Sequence, residues 1–310
     1  MSQSTADIVS AIDVRDLHFR YQKAESDALK GLSLQAHYGK ITGLLGPNGS
    51  GKSTAFQIIS TQRTPDSGES FVGGYSSTKD PRKVRRLLGV TFQTPSIDPL
   101  LTVRENLEIH AALLGLQGNY QKIIDEKLNF FGLLNQANHR SKTLSGGMQR
   151  RVELAKTLMG EPKILLLDEP TTGLDPLARA DFWHLLRKIA LGGVGILVTT
   201  HLMEEAELCD HLLFIAHGKL SASGTPMELK SSFPYEVIWL ESSVTQSMVE
   251  KQFGDRVRVR QEGDRLRLET THGLSVLDEL RKSFSEQIKG FSWGKASLAD
   301  VYFEKSGVKL

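Results

Sequence analysis

Residues 46–54 read Gly46-Pro47-Asn48-Gly49-Ser50-Gly51-Lys52-Ser53-Thr54. An apolar run, residues 41–45, precedes them, and an apolar-periodic segment, residues 55–59, follows. Strand, glycine loop, helix is the context in which the pattern G-x-x-x-x-G-K-[ST] builds a phosphate site. Glycines let the backbone curl until successive N–H groups point at one anion, and the helix that follows adds its positive end. Lys52 supplies a full charge for the outer phosphates, and the Ser53 hydroxyl is placed to ligate Mg2+. This requirement confines the chain to an α/β architecture with a buried strand feeding the loop.

The 310 residues, 39% of them hydrophobic, suffice for one large domain and a smaller one. A net charge of +2 gives no ground for a nucleic-acid binder held by bulk charge. The single cysteine, Cys209, sits among apolar neighbours and reads as an inert buried thiol, in keeping with a reducing compartment. Residues 1–10 lack a basic stretch followed by an apolar run, so no secretory signal is expected. No window approaches 18 consecutive apolar residues. Any membrane passage would therefore fall to another chain.

Residues 11–37 read as an antiparallel β region: Ile12, Val14, Leu17 and Phe19 alternate with one slip, and Leu32, Leu34 and Ala36 alternate cleanly. Tyr21, at the end of the first strand, reads either as a half-buried strand-end tyrosine or as a platform for a base. Residues 61–95 read as short strands and loops, closed by Gln93. Residues 100–118 and 120–131 read as helices, the first opened by a Thr102/Glu105 capping box. Ser145 can cap a helix that begins with Gly146, Gly147 and Gln149. Those glycines read either as part of a plain capped helix or as a second anion site with close access to the backbone. Residues 164–167 are continuously apolar, as in a strand buried on both faces, and end in Asp168-Glu169. At the carboxyl edge of such a sheet ligands bind. Asp168 can hold Mg2+ through water, and Glu169 can act as a base. A loop with Gly173 and Asp175 follows, and a further buried strand, residues 195–200, ends at His201.

Taken together and in order, these segments resemble the ATP-binding subunits of ABC transporters over residues 12–230. The glycine loop matches the Walker A motif, Gln93 the Q-loop, residues 144–150 (LSGGMQR) the signature, residues 164–169 Walker B, Asp175 the D-loop and His201 the switch histidine. Tyr21 matches the adenine-stacking position. The resemblance implies a P-loop ATPase core with a helical subdomain near residues 96–160 and an N-terminal antiparallel β region. It implies ATP and Mg2+ as ligands, with Ser53, Gln93 and Asp168 at the metal. It also implies Glu169 as general base, His201 at the γ-phosphate, and Ser145, Gly146, Gly147 and Gln149 reaching the ATP of a second subunit. A homodimer or a heterodimer with a related ATPase is expected, on the cytoplasmic face of the membrane, with a separate transmembrane permease and no nucleic acid. Residues 93–98, 101–107 and 297–303 resemble the exporter branch, which handles drugs, lipids, polysaccharides or ions.

Residues 235–305 read as a small α+β domain. Its Arg256–Arg260 and Arg265–Glu269 segments flank Glu262-Gly263-Asp264 as a hairpin. The five arginines there invite a phosphate or headgroup surface; a solvated strand face is the simpler reading. A soluble ABC-type ATPase acting on nucleic acid or ribosomes is the alternative function. The single Walker A motif and the absence of a long coiled-coil insertion weigh against it.

Overall fold

The computed structural model describes residues 10–94 and 96–306. The stretch read for a leader lies outside them, Ser10 excepted. The chain divides into two compact units between Thr225 and Pro226.

In the first unit, β1 (Ser10–Phe19) pairs antiparallel with β2 (Leu29–His37), and the register slips between Val14 and Leu17, where the sequence pattern slipped. β3 (Ile41–Leu45) runs into the glycine loop and α1 (Lys52–Ile59). β4 (Ser67–Val72) and the two-residue β5 (Tyr75–Ser76) complete an antiparallel sheet of order β2-β1-β4-β5. The next segment is not all strand and loop. Pro81 occupies the first turn of α2 (Pro81–Leu87), where its missing N–H costs nothing. β6 (Leu88–Thr91) leads to Gln93.

The helical region contains α3 (Val103–Leu113), α4 (Tyr120–Phe130) and α5 (Gly146–Thr157). The Thr102/Glu105 box is formed, with the Thr102 N–H donating to the Glu105 carboxylate at 2.7 Å. α3 is shorter than its pattern, because the chain turns out of the helix at Leu114 and Gly115. β7 (Ile164–Asp168), α6 (Pro176–Leu191), β8 (Gly195–Thr200), α7 (Met203–Ala206), β9 (His211–Ala216) and β10 (Lys219–Gly224) follow. The larger sheet has the order β10-β9-β3-β8-β7-β6, parallel throughout except for the edge strand β10. Leu165, Leu166 and Leu167 are fully buried. Each such side chain contributes about 1.5–3 kcal/mol from burial alone. One core joins the two sheets through α1, uniting Val14 and Leu32 with Phe56, Leu166, Leu197 and Ile215.

Cys209 packs in this unit, and its burial raises the thiol well above the ordinary range. Thiol reagents attack the thiolate. The native protein at pH 8 should therefore resist labelling that the urea-unfolded chain undergoes, as a time course with a chromogenic disulfide would show.

The second unit holds α8 (Pro226–Ser231), β11 (Glu236–Ser242), α9 (Gln246–Phe253), β12 (Arg258–Glu262), β13 (Arg265–Thr270), α10 (Gly273–Phe284), β14 (Ile288–Lys295) and α11 (Leu298–Ser306). Its antiparallel sheet has the order β12-β13-β11-β14. Ser297 and Asp300 form a reciprocal cap on α11. The arginine hairpin is not a uniformly solvated face. Arg256 pairs with Glu279 at 2.7 Å, Arg265 pairs with Glu241, and Arg258 lies over the Tyr235 ring. Arg267 is buried, 3% exposed, between Glu269 at 2.9 Å and Asp300 at 2.7 Å. Removing one member of a buried charge set strands the others and costs about 3–5 kcal/mol. Arg267→Met should therefore lower the unfolding free energy of this unit by that amount, measurable by amide exchange in β13 and β11.

Candidate functional site

The parallel register sets the site. Leu45 stands opposite Thr200, and Asp168 opposite Thr199, so three strands end flush at one edge. From that edge the glycine loop, the Asp168-Glu169 turn and the His201 segment leave the sheet. Residues 46–54, Glu169 and His201 line a cleft of about 670 Å3 with Tyr21, Ala28 and Gln93, and Asp168 stands just behind this lining.

The loop is built to hold an anion. Gly49 and Gly51 take φ of 78° and 107°, a region that side chains disfavour. A side chain at Gly46 would collide with Ser50 and with the Ile215 carbonyl. Gly51 caps α1 without any side-chain acceptor, so the first N–H groups of the helix have no side-chain cap. The Ser50 hydroxyl is buried with no hydrogen-bond partner among the described residues. The buried Lys52 ammonium donates to the Gly46 and Pro47 carbonyls at 2.6 and 3.1 Å. Burial lowers its pKa, against the opposing pull of Glu169 and Asp168.

Across the cleft, Glu169 has a left-handed backbone, φ 44°. Its N–H donates to the Thr199 hydroxyl at 2.9 Å, and that hydroxyl donates to Asp168 Oδ1 at 2.6 Å. One threonine thus fixes both carboxylate residues. The Glu169 carboxylate has His201 Nδ1 at 3.4 Å on one oxygen; the other accepts from Gln93 Nε2 at 3.4 Å and from the Thr172 hydroxyl at 3.3 Å. The Tyr21 hydroxyl lies 3.1 Å from Thr54 Oγ1, and the Arg63 guanidinium covers one ring face at 4.8 Å.

Ser53 and Asp168 are oxygen donors at this edge, and no cluster of three or more His, Cys, Asp or Glu side chains occurs among the described residues. That sparse donor set fits Mg2+, which keeps waters and takes one or two protein ligands plus substrate phosphates.

The signature residues are elsewhere in the protomer. Ser145, Gly146, Gly147 and Gln149 do not line the cleft. Ser145 caps α5 at the Met148 N–H, 3.3 Å away. Gln149 donates to its own loop, to the Ser141 and Leu144 carbonyls, both at 3.2 Å. A Cβ at Gly147 would lie 2.8 Å from Ala178 Cβ, so close packing on α6 demands this glycine independently of any ligand. Asp175 caps α6 through the Ala178 N–H at 2.9 Å.

Sequence reasoning missed three supports. Thr199 was an anonymous β-branched residue. Glu205, 1% exposed, accepts from the hydroxyls of Thr171 and Thr200, joining the loop beyond Glu169 to the segment before His201. Arg150 binds the Phe92 and Gln93 carbonyls at 3.1 and 2.5 Å. None had a decisive local signal: Glu205 is one of three glutamates, at positions 204, 205 and 207, just beyond the histidine.

A parallel sheet with a phosphate loop at its carboxyl edge, faced by a hydrogen-bonded carboxylate and a histidine, defines a P-loop nucleoside triphosphatase. A family model described as ABC transporter matches residues 29–172. The chain is 36% identical over 293 residues to the daunorubicin/doxorubicin resistance ATP-binding protein DrrA of Streptomyces peucetius, covering 90% of this chain and 88% of that one. It is 41% identical over 226 residues to the Nod factor export ATP-binding protein I of Burkholderia orbicola, 72% of this chain and 74% of that one. Among solved structures it is similar to cbiO1 of Clostridium perfringens, with TM-score 0.66, 27% identity and coverage of 80% and 95%. It is likewise similar to a dimeric ATP-binding cassette bound to ADP and Pi, with TM-score 0.62, 30% identity and coverage of 69% and 98%. The chain belongs to the ABC transporter family, as an ATP-binding subunit of the exporter type that couples ATP hydrolysis to transport. Such subunits work as dimers with a transmembrane partner. Among the described residues no helix is long and apolar enough to cross a membrane.

Because Thr199 holds Asp168 and the Glu169 amide at once, Thr199→Val should lower kcat for ATP about 10-fold while nucleotide affinity holds. Steady-state hydrolysis beside binding of a fluorescent ATP analogue checks this.

Proposed function

We propose that two copies of this chain, or this chain and a related ATPase, close head to tail around two ATP molecules at the cytoplasmic face of the membrane. Closure drives a separate transmembrane subunit that exports its substrate. The observation that carries this reading is the gathering of Lys52, Gln93, Glu169 and His201, distant in sequence, around one cleft.

The triphosphate lies along the glycine loop, with Lys52 and the α1 N–H groups on its outer phosphates and Tyr21 beside the adenine. Gly46, Pro47, Asn48, Gly49, Ser50, Gly51, Ser53 and Thr54 form the cradle. Ser53, Gln93 and Asp168 hold Mg2+, which when bound places positive charge on the phosphate oxygens. Phosphoryl transfer needs little covalent chemistry from the protein, so positioning and charge carry most of the rate. Glu169 takes a proton from the attacking water. His201, held on Glu169, faces the γ-phosphate. Ser145, Gly146, Gly147 and Gln149 lie away from this cleft in their own protomer, which suits a helix start that serves the partner's ATP. Asp175 sits at the same surface. The exporter names of the relatives support an outward direction for transport.

Removing a positioned base costs about 10²–10⁴-fold in rate. Glu169→Gln should lose hydrolysis by that factor, retain ATP binding, and accumulate as an ATP-held dimer in size-exclusion chromatography. Near-normal turnover would remove Glu169 from the role. In detergent extracts that dimer should bring down a chain with several membrane-spanning segments; capture of ribosomes or nucleic acid instead would overturn the transport reading.

A further inference from the structure

Helix α5 carries charged residues at 150, 153 and 156, a spacing of three that lines one helix face. That face grips the segment between β6 and α3. Arg150, 6% exposed, donates to the Phe92 carbonyl at 3.1 Å and the Gln93 carbonyl at 2.5 Å, and pairs with Glu153 at 2.6 Å. Glu153, 1% exposed, accepts the Ser96 N–H at 3.0 Å with its other oxygen. Lys156, partly exposed, donates to the Ser96 carbonyl and to its hydroxyl, 2.9 Å away.

On the gripped segment these bonds hold backbone groups, the Ser96 hydroxyl apart, and none engages the Gln93 side chain. The Gln93 side chain is left to reach Glu169, with Nε2 3.4 Å from Oε2. A continuous set of contacts therefore runs from α5 through Arg150 to the Gln93 backbone, and from the Gln93 amide to the carboxylate assigned as base. A guanidinium is suited to this, because its planar fork satisfies two adjacent carbonyls and one carboxylate together. A buried ion pair adds little net stability over apolar packing. What it adds here is a defined position for two carbonyls that would otherwise move with the loop.

We propose that Arg150, seated by Glu153, is a positioning residue for ATP hydrolysis: it fixes the backbone at Gln93 so that the Gln93 side chain holds Glu169 in place. This rests on the assignment of Gln93 and Glu169 to the reaction. It assigns to the signature helix a task within its own protomer, separate from any contact to a partner's ATP. Displacement of α5 along its axis is then read at Glu169 through two carbonyls.

The test is a double-mutant cycle on the full-length chain, with kcat and KM for Mg·ATP measured in each variant. Arg150→Met is combined with Glu153→Gln, which removes both buried charges at similar volume and leaves an acceptor for the Ser96 N–H. The pair should lower kcat about tenfold with KM within about twofold. In a Gln93→Ala background the same pair should change kcat by less than about twofold, because residues that act as one unit are not additive. Arg150→Lys, able to reach one of the two carbonyls, should restore part of the rate. Equal losses in both backgrounds would show that Arg150 only supports the fold, and would overturn the proposal while leaving Gln93 in its role. If Gln93→Ala alone leaves kcat unchanged, the assignment of Gln93 fails and the proposal fails with it. Should the buried pair not fold, Lys156→Met decides. It loosens the same segment from the surface, and its smaller loss of kcat, about threefold, must also vanish in Gln93→Ala.

Discussion

The flush, in-register parallel pairing of β3, β8 and β7 is the constraint on which the site depends. Parallel strands place their carboxyl ends on one edge, and here Leu45, Thr200 and Asp168 reach it together. A slip of one residue would invert every side chain of a strand. It would turn Asp168 and Thr199 to opposite faces and break the hydroxyl bridge between Asp168 and Glu169. The register is held by fully buried apolar runs, so the accuracy of the carboxylates derives from the leucines and valines behind them.

Around that edge the polar groups are arranged against the usual preference for an apolar interior. Lys52, Arg150, Glu153 and Glu205 are all nearly inaccessible to solvent. Each is met by carbonyls, hydroxyls or an opposite charge, as burial requires. Lys52 closes its own loop, whereas the other three join segments far apart in the chain: Glu205 links positions 171 and 200, Arg150 reaches positions 92 and 93, and Glu153 reaches position 96. Such bonds are directional, so they fix loop positions that apolar contacts would leave free to slide. Arg267 does the same in the second unit, tying β13 to α11.

What the sequence made legible was whatever is written in local order. The glycine loop between strand and helix, the apolar run ending in two carboxylates, the Thr102 cap and the β1 slip are all spelled by neighbours. The supports were illegible because their partners are remote. Nothing near Arg150 announces that its guanidinium meets carbonyls 57 and 58 residues earlier. The arginine hairpin misled for the same reason, since Asp300, which neutralises Arg267, lies beyond the next helix. The start of α2 was spelled locally, by Asp80-Pro81, but turn residues on either side masked it. The glycines of the signature could be read for backbone access to a ligand, yet the neighbour of Gly147 is Ala178, a residue of another helix.

That last contact ties two helix starts into one piece. Gly147 lies two residues past the Ser145 cap of α5, and Ala178 is the residue whose N–H is held by the Asp175 cap of α6. The gap between the helices is too narrow for one added methyl group, so positions 147 and 178 share a single allowance of volume. A larger side chain at 178 would press the two helix starts apart, and Asp175 would move with α6. The loops that carry Ser145 and Asp175 would then change spacing as a pair.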